Sequence, residues 1–407
     1  MSRLTRRVLI SSAAAAPLAR PGIIRAQSTS KPVRIGLVSD MSGPYRDVGG
    51  PGNKVAVELA VHDFGGSVLG RPIEVLQADC QDKPDVAATL AREWVDNQGV
   101  DVLADGAATS SGLAVLQIAR EKKRIYLVTG PASSDFTGKQ CSPYSIHFSY
   151  DTYALAHGTG SALTKAGGDS WFFITADYAF GYALERDTTN AVKAAGGKIL
   201  GNVRAPLGTA DYSSYLVQAQ SSGAKVIGLA NAGTDTQNCV KQAAEFGLTK
   251  SGIRLATLLM QISDVNALGQ RVCEGLTYTD SFYWDMSDST RAWSKRWSAQ
   301  MGGMVPGLLH AGNYCATNHW LKAVKAAGTT DADTVVAKMK ELPVNDFYNT
   351  NVKVREDGRV MHVMYLWQVK PVAEAKSKYD FCKLLATIPP ADAWRPLADG
   401  GCPLVKA

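Results

Sequence analysis

Two stretches hold the residues best suited to grip a small molecule, Val102-Leu-Ala-Asp-Gly-Ala-Ala-Thr-Ser-Ser-Gly-Leu-Ala-Val115 and Leu127-Val-Thr-Gly-Pro-Ala-Ser-Ser134. Each starts with apolar, strand-like residues and breaks into Gly, Ala, Ser and Thr. Small residues after a strand let backbone approach a ligand closely. The first stretch runs on into an apolar-periodic segment, so Ser or Thr there caps a helix start or leaves its N–H groups free to hold an anion. The residues alone leave both readings open, an ordinary turn with Ser110 as cap and a seat for a carboxylate or phosphate.

Enzyme chemistry finds little support elsewhere. The chain has no Gly-x-x-x-x-Gly-Lys-Ser/Thr, no Gly-x-Ser-x-Gly, and no Gly-x-Gly-x-x-Gly after the first strand. His62, His147, His157, His310, His319 and His362 are scattered, and acid pairs such as Asp82/Asp85 sit where helix capping explains them. The seven cysteines (80, 141, 239, 273, 315, 382 and 402) fall in no metal-binding spacing. No catalytic residue, metal or cofactor is therefore expected. Cys382 and Cys402, which bracket a Pro-rich tail, are the first expectation for a disulfide.

The formal charge of +6 is set by the first 26 residues, which carry five arginines and no acid; without them it falls to +1. A near-neutral chain with no Lys/Arg stripe has no compositional affinity for nucleic acid. Arg6-Arg7 before the short apolar run Val8–Ala16, with Arg25-Ala26 ahead of Gln27, reads as an export signal over residues 1–26. The paired arginines resemble a twin-arginine signal, with a general secretory signal as the alternative. No later run of about 20 apolar residues could span a bilayer, so a periplasmic protein is expected.

The elements that must position the two turns alternate in kind. Strands are expected at Val33–Ser39, Ile73–Ala78, Val100–Leu103 and Ile125–Val128, with helices around Lys54–Phe64 and from Pro84. The pattern restarts with strands at Ser170–Thr175, Lys198–Val203, Val226–Ala230 and Ile253–Leu259, separated by helices. Two such α/β blocks predict two lobes with parallel sheets. Helices follow at Ser289–Met301, Leu308–Ala327 and Asp331–Leu342, then a strand within Gly358–Lys370 and an irregular tail from Pro371.

The opening Ile35-Gly-Leu-Val-Ser-Asp-Met-Ser-Gly-Pro44, with Asp82-Lys-Pro-Asp85, Thr109-Ser-Ser111, Gly130-Pro-Ala-Ser-Ser134, Asp177-Tyr-Ala-Phe-Gly181 and Glu274-Gly-Leu276, resembles the branched-chain amino acid (Leu/Ile/Val-binding) type of ABC-transporter solute-binding proteins over about residues 32–370. The ending from Met364-Tyr-Leu to Cys402-Pro-Leu-Val405 is similar to a subgroup associated with aromatic carboxylates. The resemblance implies a type I periplasmic binding protein: two Rossmann-like lobes joined by three crossings, near 148–152, 280–285 and 352–356. Lobe I would comprise 32–150 and 284–353, lobe II 151–283 and 354–385, and residues 386–407 a C-terminal arm.

It further implies a monomer that closes on a small molecule and docks on a permease with its ATPase subunits. The family's carboxylate contacts match Thr109, Ser110, Ser133 and the N–H of Ala132. Its ammonium partners match less well. The acidic residue expected near 258–261 meets Leu-Leu-Met-Gln, which puts Met260 at the site, while the carbonyl that accepts from the ammonium falls at Pro131. A buried ammonium without a partner is prohibitively costly. The expected ligand is therefore an aromatic carboxylate of benzoate type, walled by Tyr45, Phe180, Tyr283 and Trp284, with Asn231 and Asp235 toward a ring substituent, or with Asp235 meeting an amine instead. Tyr283 and Trp284 as hinge packing, an amino acid as ligand, and a sensor for a membrane receptor stay open as alternatives.

Overall fold

A computed structural model describes residues 31–406, so the expected export signal lies outside the described residues. The first block forms a six-stranded sheet from Val33–Ser39 (β1), Ser67–Val68 (β2), Arg71–Asp79 (β3), Val102–Asp105 (β4), Ile125–Val128 (β5) and Ser145–His147 (β6), in the order β2-β3-β1-β4-β5-β6. All its pairings are parallel except β2 with β3. Helices Gly50–Phe64 (α1), Pro84–Asp96 (α2) and Thr109–Glu121 (α3) follow β1, β3 and β4. Alternate strand residues go to opposite cores. Val33, Ile35 and Leu37 join Val102, Ile125, Trp320 and Leu321, while Val38, Leu103 and Val128 join Trp94, Val115 and Leu116. Burial on both faces is why these strands read as continuous apolar runs. Gly36 is required where α2 crosses β1, because a Cβ there would lie 2.6 Å from the Trp94 ring.

The second block forms a four-stranded parallel sheet from Ser170–Ala176 (β7), Lys198–Ala205 (β8), Val226–Ala230 (β9) and Arg254–Thr257 (β10), in the order β10-β9-β7-β8. A third, antiparallel sheet was expected only in part. Thr277–Asp280 (β11), Met364–Val369 (β12) and Cys382–Ile388 (β13) pair in sequence, and Tyr278, Trp367, Val369 and Cys382 join the core of the second sheet. The tail from Pro371 is thus not irregular throughout. Residues 382–388 gain a strand partner in β12 that local sequence cannot reveal.

The chain passes between the two sheet systems at three places. It leaves β6 through Phe148–Asp151, returns after β11 toward the helix Asp288–Gln300, and turns to β12 only after Val360. The last crossing falls later than 352–356 because Val352 and Val354 bridge to Val344 and Val360, and Arg359 bridges to His147 of the first sheet. Arg359 is fully buried there and donates to the carbonyls of Phe148 (2.7 Å) and Tyr150 (3.0 Å). Its guanidinium also lies 3.6 Å from the Asp151 carboxylate and stacks over Trp394.

The disulfide joins Cys141 to Cys402, not Cys382 to Cys402. Cys382 points into the second core, where its sulfur meets the Tyr278 hydroxyl at 3.2 Å, out of reach of Cys402. The C-terminal arm therefore begins as a strand on the third sheet and ends bonded to the segment just before β6.

Candidate functional site

Both parallel sheets point the carboxyl ends of their strands at one cleft, the usual place for a ligand in open α/β sheets. Residues of the first system lining it include Asp40, Tyr45, Asn53, Asp105, Thr109, Gly130 and Ala132. The second contributes Tyr178, Phe180, Ala232, Gly233, Leu259, Gln261 and Asp264, and Tyr150 lies on the first crossing. The Tyr45 and Tyr178 hydroxyls meet across it, and Thr234 N–H donates to the Pro44 carbonyl, so the described conformation is closed.

The turn from β4 into α3 is built from unusual backbone. Asp105, Gly106 and Ala107 have φ of 69°, 101° and 48°, a left-handed run that costs on the order of 1–3 kcal/mol per non-glycine residue. Tyr126 pins it by donating to the Asp105 carbonyl at 2.9 Å. The N-cap of α3 is Ala108, whose side chain makes no capping bond, so Ser110 is not the cap; it lies inside the first helical turn, half-buried and outside the cleft lining. Thr109 does line the cleft, its hydroxyl oxygen accepting from the Ala132 N–H at 3.3 Å.

The other expected contacts divide. Tyr45, Phe180 and Ala132 line the cleft, whereas Ser133, Asn231, Asp235, Met260 and Tyr283 do not. Ser133 accepts from the Asp135 N–H and caps a short 3-10 turn. Asn231 is bonded to Thr236 and Cys239, and Asp235 accepts from the Gly208 N–H, holding that loop. Met260 is buried in the second core. Tyr283 and Trp284 both donate to the Tyr379 carbonyl, and Tyr283 accepts from Phe381 and Cys382, so they pack the entry to β13. The Pro131 carbonyl, matched to an ammonium, accepts instead from His147 Nε2 at 2.9 Å.

The residues not anticipated are mostly acceptors. Asp40 takes N–H groups of Ser42, Gly43 and Tyr45, which consumes its carboxylate in folding the loop after β1. Asp105 is fully buried, and burial pushes its carboxyl up to about 6; Oδ2 accepts from Ser39 Oγ and Asn53 Nδ2, Oδ1 has no side-chain partner, and the Ala107 N–H lies against the carboxylate. Asp264 is also raised to about 6 by burial, its two oxygens accepting from Gln237 and from the Gln261 N–H. Beside the cleft, burial and the nearby Asp40 carboxylate raise Asp82 to about 8. The side-chain oxygens of Asn53 and Gln261 are unpartnered as well.

Among the described lining residues there is no Lys, Arg or His. A helix start favours an anion by roughly 0.3–2 kcal/mol. One like charge about 4 Å away costs about 4 kcal/mol at an effective dielectric near 20. The acids of the lining therefore oppose α3 in setting the sign of the cleft. Its apolar character comes from Tyr45, Tyr150, Tyr178, Phe180, Leu259 and Leu309.

Comparison with known proteins agrees with this architecture. A periplasmic binding protein structure from Burkholderia mallei has 49% identity and a TM-score of 0.90, covering 92% of this chain and 100% of that one. A branched chain amino acid ABC transporter periplasmic ligand-binding protein from Burkholderia xenovorans has 37% identity and a TM-score of 0.81, covering 91% and 99%. Leu/Ile/Val-binding protein homolog 6 of Brucella melitensis is 29% identical over 249 residues, 60% of this chain and 63% of its own length. The chain thus spans less than two thirds of the curated relatives it matches. The family model described as "Periplasmic binding protein" matches residues 32–378, and the chain belongs to that family.

Proposed function

We propose that this chain is the periplasmic solute-binding component of an ABC importer, closing on a small molecule with an aromatic or apolar body and delivering it to a membrane permease. The observation that carries the reading is the cleft itself: aromatic rings from both sheet systems around one space, with Tyr45 bonded to Tyr178 across it. Capture by closure about the three crossings follows, with 32–150 and 284–360 as one lobe and 151–283 and 361–385 as the other. The capturing unit is a monomer, since one chain supplies both walls.

An aromatic carboxylate as ligand has the Thr109 hydroxyl and the uncapped start of α3 in its favour, and the carboxylates of the lining against it. The aromatic body has the ring-lined wall in its favour without such a conflict; a stacked ring adds roughly 0.5–1.5 kcal/mol beyond area burial.

The test is a thermal-shift panel of single-ring compounds and branched-chain amino acids at fixed pH. A ligand at a hundredfold excess over its Kd adds about 2.7 kcal/mol. Stabilisation by at least one ring compound is expected. Turnover of a bound compound, seen as a changed mass on release, would sink the transport reading.

A further inference from the structure

The polar atoms of the cleft specify the ligand's head. Asp105 Oδ1 and Asn53 Oδ1 belong to residues about 1% exposed and hydrogen-bonded to each other through Asn53 Nδ2 and Asp105 Oδ2. The Ala107 N–H lies against the Asp105 carboxylate, and Gln261, 2% exposed on the wall of the second sheet, adds an acceptor without a partner, Oε1, on the side of Gly307. Space beside Asp105 Oδ1 is kept by Gly130, where a Cβ would stand 2.6 Å from it. Asn53, Asp105, Gly130 and Gln261 line the cleft. Buried acceptors left without donors are costly, and a buried carboxylate without a counter-ion more so. The charged neighbours of Asp105 are themselves acids, Asp40 among them, and the lining holds no cationic side chain. Tyrosine and phenylalanine faces, in turn, attract cations.

We propose that the cleft takes a primary amine in its ammonium form with an aromatic or apolar body and no carboxylate, its N–H donors received by the Asp105–Asn53 pair and by Gln261. This rests on the cleft being the capture site. It differs from the expected aromatic carboxylate in the charge of the head, and from an amino acid in having no anionic partner to seat. Asp264, whose two oxygens already accept hydrogen bonds, contributes negative potential rather than a contact.

Three probes of one size and shape test it: benzylamine, benzyl alcohol and benzoate, each titrated by thermal shift and calorimetry at pH 7.5 into the wild-type chain, Asp105→Asn and Gln261→Met. The expected result is binding of benzylamine well above the other two, weakened roughly tenfold or more in Asp105→Asn, as for loss of a hydrogen bond to a charged group. Gln261→Met, away from the strained turn, weakens it less and serves if Asp105→Asn does not fold. Benzoate binding above benzylamine overturns the proposal and restores the carboxylate. Equal binding of all three overturns the amine head and leaves aromatic capture standing. Binding of none overturns both.

Discussion

The hydroxyls of Tyr45 and Tyr178 lie 2.6 Å apart, one on the loop after β1 and the other on the loop after β7. Burial raises both phenols well above their ordinary range, so the pair is neutral and shares one hydrogen bond across the cleft at any physiological pH. Tyr178→Phe deletes that bond while keeping the ring. About 1 kcal/mol of closed-state stability should be lost. Stopped-flow displacement should then show release roughly fivefold faster with little change in association.

Asp82 gives the protein a pH signature. Its folded-state pKa is raised, to about 8, chiefly by burial and then by Asp40. The folded state therefore holds a proton that the unfolded chain loses near pH 4, and stability falls as pH rises from about 4 to about 8. Asp82→Asn removes the charge and suits the positive φ of 53° at this position. The variant should melt higher than the wild type at pH 8.5, by roughly 2–4 kcal/mol, with the gap closing at pH 4.5.

Arg359 ties two crossings together from the interior. Replacing it with Leu strands the Asp151 carboxylate and frees the carbonyls of Phe148 and Tyr150. A loss of about 3–5 kcal/mol is expected by denaturant titration, as when one partner of a buried pair is removed.

Thr109 and Ser110 separate two readings of the turn. Ser110 lies outside the lining, so Ser110→Ala should change ligand affinity by less than about 0.5 kcal/mol. Thr109→Val removes a hydroxyl that faces the cleft and accepts from Ala132, and should weaken binding by roughly 1 kcal/mol. Calorimetry on both variants checks the order.

Removing the disulfide by Cys402→Ala should cost about 2–5 kcal/mol. A melt of the wild type with reductant should reproduce that loss, since Cys80, Cys239, Cys273, Cys315 and Cys382 are free and buried.

β1, β4, β5, β7 and β9 were legible because strands buried on both faces cannot hide their apolar runs, and β8 because its residues alternate in exposure. The third sheet was not, since Cys382–Ile388 is mostly exposed and acquires its pairing only from β12. At the site, the β4–α3 turn and the rings of Tyr45 and Phe180 were legible from small residues and aromatics after strands. Asp105 reads in the sequence as a strand end, because burial and backbone conformation, not residue type, bring it to the cleft. Asp264 lies three residues beyond the segment where an acid was sought, and a capping arrangement with Gln261 hides it as helix punctuation. Asp235 sits by sequence position where a ligand contact is expected, but the loop at Gly208 folds back to meet its carboxylate.

The C-terminal arm is held at two ends by different chemistry, hydrogen bonds of β13 to β12 at one and sulfur to Cys141 at the other, with Trp394 and Arg395 pinned between them. From Ile388 to Cys402 the backbone would reach roughly 45–50 Å if drawn out. A protease that cut it in that interval would release nothing. The nicked protein would run as one species until a reductant broke the sulfur link, and only then would the fragment carrying Cys402 come free.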